Sequence, residues 1–355
     1  MANYRGAGYA IRLQIGEVAF FWLKWSSSPP VENAGRHCLI ERTQEMQQHR
    51  VGSAFRLVLI LLVVWVFATQ CFAQKPPTSK MENGNRGVLL ENLSWDEAEH
   101  ILTPDRVVVI ALGAESKEHG RHLQLNNDWV MAEYLKNRVL AAAPVVIAPT
   151  INYSFYPAFL EYPGSTSLES HTARDMVVEI CHTLALHGPR RFYILNTGIS
   201  TIKPLSEAAK TLSSEGITMT YFDLAEVDDV VKKVQQEPEG THADEIETSM
   251  MLYIAPDTVR MSKAEKDLHP HHPGGLTRDP NATDKVYSPT GAWGDPTLAT
   301  REKGQILVEA TVRAILGDIQ KLQELPVNHA ASCSSQHPCM SSTSQQIADA
   351  ETVMH

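Results

Sequence analysis

The segment RVVVIAL, residues 106–112, is an unbroken apolar run that ends at Gly113. A run this short and this apolar reads as a β-strand buried on both faces, which requires helices packed above and below its sheet. Three later segments repeat the pattern: PVVIAPT (144–150), RRFYILN (190–196) and ITMTYFD (217–223). Between the first two, residues 128–143 have helical spacing, with Val130, Tyr134, Leu135 and Val139 on one side and Asp128 as the expected N-cap. Further helices are predicted over 169–187, 203–215, 242–254 and 298–321. Strand–helix alternation with short connections specifies an α/β chain, a three-layer α/β/α sandwich with a mostly parallel central sheet. Ligands in such sheets gather at the carboxyl ends of the strands. The loops leaving RVVVIAL, PVVIAPT and RRFYILN therefore open on one edge.

The 355 residues are 43% hydrophobic and 20% charged, with a formal net charge of −10. That balance argues against nucleic acid or an anionic membrane surface as the main partner. The folded unit is expected over residues 87–325. Before it, LVLILLVVWVFA (57–68) follows His49, Arg50 and Arg56 and leads to Cys71-Phe72-Ala73, the pattern of a secretory signal peptide. It is short for a membrane span, which takes about 20 apolar residues; extended to Ala73 it offers the alternative of a membrane anchor through 57–73. Residues 46–73 thus read as an export segment, starting at Met46, and residues 1–45 as an over-called or disordered extension. The expected location is outside the cytoplasm, periplasmic or secreted. Residues 326–355 are Ser/Gln-rich and read as a disordered tail. The five cysteines form no zinc pattern, and only Cys333 and Cys339 could pair locally.

Two polar stretches interrupt this scaffold. KEHGRHLQLNND (117–128) follows the first strand and holds His119, His122 and Asp128, with Glu115 and Glu118 nearby. Imidazoles and carboxylates together suit a divalent cation. THADEIETSMMLYIAP (241–256) crowds Asp244, Glu245 and Glu247 into four residues, a repulsion that a cation or a helix N-terminus would offset. On a continuous helix His242, Glu245 and Ser249 would share a flank. HPHHPGGLTRDPN (269–281) reads as a loop that shapes or gates a site, and Trp293 in GAWGDPTLATREKG (291–304) as a pocket wall.

In this order the pieces resemble the creatininase (creatinine amidohydrolase) family. Residues 113–128 match its G-S-x-E-x-H-G-x-H-L-P-L-x-x-D motif; Tyr162-Pro-Gly-Ser-Thr-Ser-Leu168 matches F-P-G-T-x-S-L. His242 to Leu252 matches H-A-G-E-x-E-T-S-x-M-L, and Gly294 to Gly304 matches G-D-P-x-x-A-x-x-E-K-G. The resemblance implies an α/β/α hydrolase of amide or related C–N bonds that often forms homo-oligomers and uses one or two divalent ions, Zn2+ or Mn2+ foremost. It implies His119, Asp128 and Glu245 as metal ligands, His242 as proton shuttle and Glu247 as the second acidic catalytic residue. Glu118 is a further candidate ligand, and Tyr153, Tyr156 and Trp293 are candidate walls of a pocket for a small-molecule amide.

Two positions depart from the family pattern. Lys117 stands where the motif has a glutamate, and the chain carries one extra residue between Gly113 and His119. After RRFYILN the family has N-G-H-G-G-N, whereas this chain reads Asn196-Thr-Gly-Ile-Ser-Thr201, with Gly198 in place of the histidine. One ion would thereby lose two ligands while the other keeps His119, Asp128 and Glu245. The partly intact ligand set favours an enzyme; the alternative is a non-catalytic protein that uses the same pocket for a ligand or partner.

Overall fold

All six residues of Val107–Leu112 are buried, and they alternate between two separate cores. Val107, Val109 and Ala111 face one, while Val108, Ile110 and Leu112 face the other, because successive strand side chains point to opposite faces. This is the centre of a computed structural model that describes residues 86–270, 272 and 274–326. In chain order its sheet comprises β1 (Val88–Leu89), β2 (Val107–Leu112), β3 (Val146–Ile151), β4 (Arg191–Asn196) and β5 (Thr218–Tyr221). They lie in the order β1-β3-β2-β4-β5, and every pairing is parallel.

The helices are α1 (Trp95–Ile101), α2 (Asn127–Ala142), α3 (Ser170–Ala185), α4 (Ile202–Ser214), α5 (Asp228–Val234), α6 (Glu245–Ile254) and α7 (Arg301–Glu324). Met131, Leu135 and Val139 of α2, Met251 of α6 and Val308, Ile315 and Ile319 of α7 cover the first face of the sheet. Val177 and Cys181 of α3 and Leu205, Ala208 and Leu212 of α4 cover the second. The result is the expected three-layer α/β/α arrangement. A short parallel ribbon, β6 (Leu276–Thr277) and β7 (Val286–Tyr287), lies outside the main sheet.

Three expectations are corrected. The predicted helix over 242–254 begins at Glu245, because the Asp244 side chain accepts from the Ile246 and Glu247 amides and caps it. His242 instead forms an antiparallel bridge with Trp293. The last helix begins at Arg301, since Pro296–Leu298 is a separate 3-10 turn and Thr300 is the N-cap of α7. Asp128 lies inside α2 rather than at its N-cap, which is Asn126. The short elements β1, α1 and α5 carry too few residues to declare a period. The expected export segment, N-terminal extension and cysteine pair lie outside the described residues. No helix among the described residues is long and apolar enough to cross a membrane.

Register places the site. Leu112 pairs with Asn196 on one side and with Ile151 on the other, so the loops after β2, β3 and β4 leave the same edge. The β2–β3 register slips between Ile110 and Leu112, next to Pro149, which cannot donate to the ladder. At the end of β2, Gly113 touches α2 so closely that an added Cβ would overlap the Asp128 carbonyl and approach the Ala132 Cβ to 2.7 Å. This glycine lets the first turn of α2 rest on the strand. Gly113→Ala is expected to cost about 1–3 kcal/mol by overpacking, read as a lowered urea midpoint with an unchanged slope.

Candidate metal centre

The loop from Gly113 to Asn126 returns over the strand edge, tied by Lys117 N–H to the Leu125 carbonyl (3.0 Å) and Trp129 N–H to Ala114 (3.1 Å). This brings Lys117 and His119 against Asp128. Asp128 Oδ2 lies 2.7 Å from Lys117 Nζ, and Oδ1 lies 2.7 Å from His119 Nε2. All three side chains are buried, Lys117 at 5% exposure. Burial alone would raise the Asp128 pKa, but the His119 and Lys117 charges overcome it and hold the carboxyl below its usual range. Burial would likewise depress Lys117, yet Asp128 reverses this and keeps the ammonium above its ordinary value. The ammonium also lies 5.4 Å from the centre of the Tyr156 ring and 5.0 Å from that of Phe159.

The second half of the site comes from the segment before α6. His242 is fixed by its bridge to Trp293, and its ring packs 4.3 Å from Phe159 and 5.1 Å from His119, centre to centre. Ala243 adopts a left-handed backbone (φ 48°), uncommon for a residue with a Cβ, and its N–H donates to Glu247 Oε2 at 2.6 Å. The strained turn thus aims the Glu247 carboxylate back at His242, whose Nδ1 is 3.7 Å from Glu247 Oε2. The other His242 nitrogen, Nε2, lies 3.2 Å from Glu118 Oε2. Gly291 (φ 84°) makes room for Glu118, since a Cβ there would overlap its carboxylate.

His119, His242 and Glu247 therefore converge, with ligand atoms all within 4.8 Å of one another. Each imidazole has one nitrogen held by an acceptor from the same loop. His119 Nδ1 donates to the Lys117 carbonyl (2.9 Å), and His242 Nε2 donates to Glu118. With these arrangements His242 Nδ1 is left for an ion, while His119 Nε2 faces Asp128 Oδ1, where an ion would take the place of the hydrogen between them; both rings are oriented from behind in the manner usual for metal-binding histidines. Two imidazoles and a carboxylate form a donor set suited to a catalytic divalent ion, and one ion fits these residues.

The predicted site residues separate into groups. His119, Asp128, Glu118, His242 and Glu247 are brought together. Glu245 is not. Fully buried, it ion-pairs with Lys303 and accepts from the Gln236 and Glu237 amides at 2.8 and 2.9 Å. Asp244 is spent on its cap, and burial, followed by the charges of Glu247 and Glu237, pushes its pKa well up. The acidic crowding at 244–247 is thus resolved by a lysine for Glu245 and a cap for Asp244, leaving Glu247 as the one of the three that faces the histidines. Tyr156 is buried beside Lys117, with a hydroxyl that has no hydrogen-bond partner among the described residues; Tyr153 is 46% exposed. Trp293 braces His242 through the backbone, its indole N–H donating to His269. His269 pairs with Asp267, and His272 accepts from the Gly274 amide, so both serve their own loop. Sequence reading missed Phe159 and Lys303. Only the Glu-Lys-Gly of the closing motif signalled the latter.

The profile described as Creatininase: Creatinine amidohydrolase matches residues 91–319. The chain belongs to the creatininase family. It is 26% identical over 261 residues to the creatinine amidohydrolase of Pseudomonas putida, covering 67% of this chain and 98% of that protein. It is also 24% identical over 238 residues to the mycofactocin precursor peptide peptidase of Mycolicibacterium smegmatis, covering 63% of this chain and 87% of that protein. Among solved structures, a manganese form of creatininase aligns with a TM-score of 0.55 and 25% identity, over 67% of this chain and all of that one. A zinc–zinc form of a creatininase mutant aligns with a TM-score of 0.54 and 23% identity, over 67% of this chain and 99% of that one.

Two expected outcomes separate scaffold from site in this creatininase relative. Lys303→Met strands the buried Glu245 charge and should cost about 3–5 kcal/mol in urea unfolding, with the metal content of the folded protein unchanged. His122 is buried, its Nε2 2.8 Å from Thr248 Oγ1, and burial lowers its pKa to about 4. A lowered folded-state pKa means the unfolded chain takes up the proton first. Stability from this residue is therefore full above about pH 6.5 and drains as pH falls toward 4. His122→Gln should flatten that window in a series of denaturant melts.

Proposed function

We propose that this chain is a metal-dependent amidohydrolase that cleaves a C–N bond in a small-molecule amide. The observation that carries the reading is the convergence of His119, His242 and Glu247 within 4.8 Å in a buried corner of the sheet edge. An ion held by these three, zinc or manganese, would supply Lewis acidity and a water whose pKa is lowered toward neutrality. The rest of the work belongs to the chain. The Lys117 carbonyl and Glu118 carboxylate orient the two imidazoles, while Phe159, Tyr156 and Trp293 keep bulk water from them. In this reading His242 is a ligand, and Glu118, which accepts from its Nε2 on the side away from the ion, is the carboxylate that orients it.

The substrate reading rests on what adjoins Glu247. Next to it opens a mostly apolar cavity of about 150 Å³, lined by Met131, Leu135, Phe222, Leu224 and Met250 and by the polar Asn196, Thr197, Asp228 and Thr311. A mostly apolar cavity of that volume accommodates a group about the size of benzene. This favours an amide with an apolar substituent over creatinine itself. Export through residues 46–73, or a membrane anchor through 57–73, and assembly into homo-oligomers remain part of the proposal.

The test joins metal analysis to turnover by the full-length chain on creatinine, N-formyl amino acids, a peptide amide and benzamide-type amides. Wild type should retain metal after dialysis and turn over an apolar amide; His119→Ala and Glu247→Ala should lose both. Glu118→Gln should weaken zinc binding by about 10–100-fold, as expected when the group that orients a ligand histidine is changed. Stoichiometric metal without turnover of any amide would favour a binding protein, and full activity in Glu247→Ala would overturn the assignment.

A further inference from the structure

Both oxygens of the Asp128 carboxylate are already engaged by cationic or cation-binding groups of the chain. Oδ1 faces His119 Nε2 and Oδ2 faces Lys117 Nζ, each at 2.7 Å, and Asp128 is 1% exposed. The ammonium cannot readily swing away, because the Tyr156 and Phe159 rings flank it and the side chain is buried. A divalent ion at Oδ2 would have to sit beside a fixed positive charge, with little water between to screen it. On the neighbouring wall, position 198 supplies no ligand. Residue 198 is a glycine whose added Cβ would stand 3.7 Å from Tyr156 Cε1 and 3.4 Å from Thr201 Oγ1, so a side chain there would have room. A second ion therefore does not fit the residues present.

We propose that the Lys117 ammonium is a tethered cation occupying the Oδ2 side of Asp128, so that this chain binds one metal ion where a zinc–zinc relative has two. Lys117 acts as a positioning residue: it neutralises Asp128, fixes the carboxylate against His119 and excludes metal from the far side. This rests on the proposed function only for the identity of the remaining ion; the exclusion follows from the ion pair itself.

The experiment counts zinc per chain by mass spectrometry in the full-length protein, stripped with chelator, re-equilibrated with zinc and dialysed. It is run on wild type and on the Lys117→Glu/Gly198→His variant, with folding checked by circular dichroism. The inference expects the double variant to hold one ion more than wild type. Wild type holding two ions, or a folded double variant with no gain, overturns it. Wild type at zero with a gain of one supports the exclusion while sinking the metal-dependent hydrolase. Should the double variant not fold, Lys117→Gln decides by zinc titration. Removal of the ammonium should tighten binding by roughly tenfold or more, and unchanged or weaker binding overturns the proposal.

Discussion

A buried carboxylate, Asp128, held between an ammonium and an imidazole, organises the site. Leaving any one of the three uncompensated in the interior would be costly: breaking a buried pair by removing one partner takes about 3–5 kcal/mol. The loop after β2 must therefore fold back far enough to bring Lys117 and His119 to the first turn of α2. Gly113 permits that close approach, and the Lys117–Leu125 hydrogen bond fastens it. Once His119 is fixed, its partner His242 is set by the Trp293 bridge and by Glu118 from the same loop. Local chain path, electrostatics and site geometry are thus one constraint viewed at three scales.

The parallel sheet was legible because its strands are buried on both faces and leave continuous apolar runs. The long helices were legible for the complementary reason, a sustained apolar stripe. The site was legible only in part. His119, Asp128 and His242 could be read from their motifs, but the choice between Glu245 and Glu247 could not. Helical spacing put Glu245 in line with His242, whereas the left-handed turn at Ala243 breaks that periodicity and redirects Glu247. The residue that takes Glu245 out of the site, Lys303, lies 58 positions further along the chain. No local pattern carries that pairing. Lys117 is similar: as a letter in a motif it is a missing ligand, and only the folded loop makes it a cation in its own right.

Where sequence alone suggested one damaged metal subsite, the geometry offers a balanced one, with an ammonium opposite the carboxylate and two oriented histidines facing Glu247. His269 and His272, and the acids Asp244 and Glu245 of the helix start, are suggestive as strings but are taken up by loop contacts, a cap and the distant Lys303. What remains is small and buried, and it adjoins a mostly apolar cavity at Glu247.

The most direct test is anomalous diffraction at the zinc edge from crystals of the zinc-equilibrated protein. The account predicts a single peak enclosed by His119, His242 and Glu247, with ordinary light-atom density for Lys117 Nζ beside Asp128 Oδ2. Two peaks flanking Asp128, or a peak on Glu245, would contradict it.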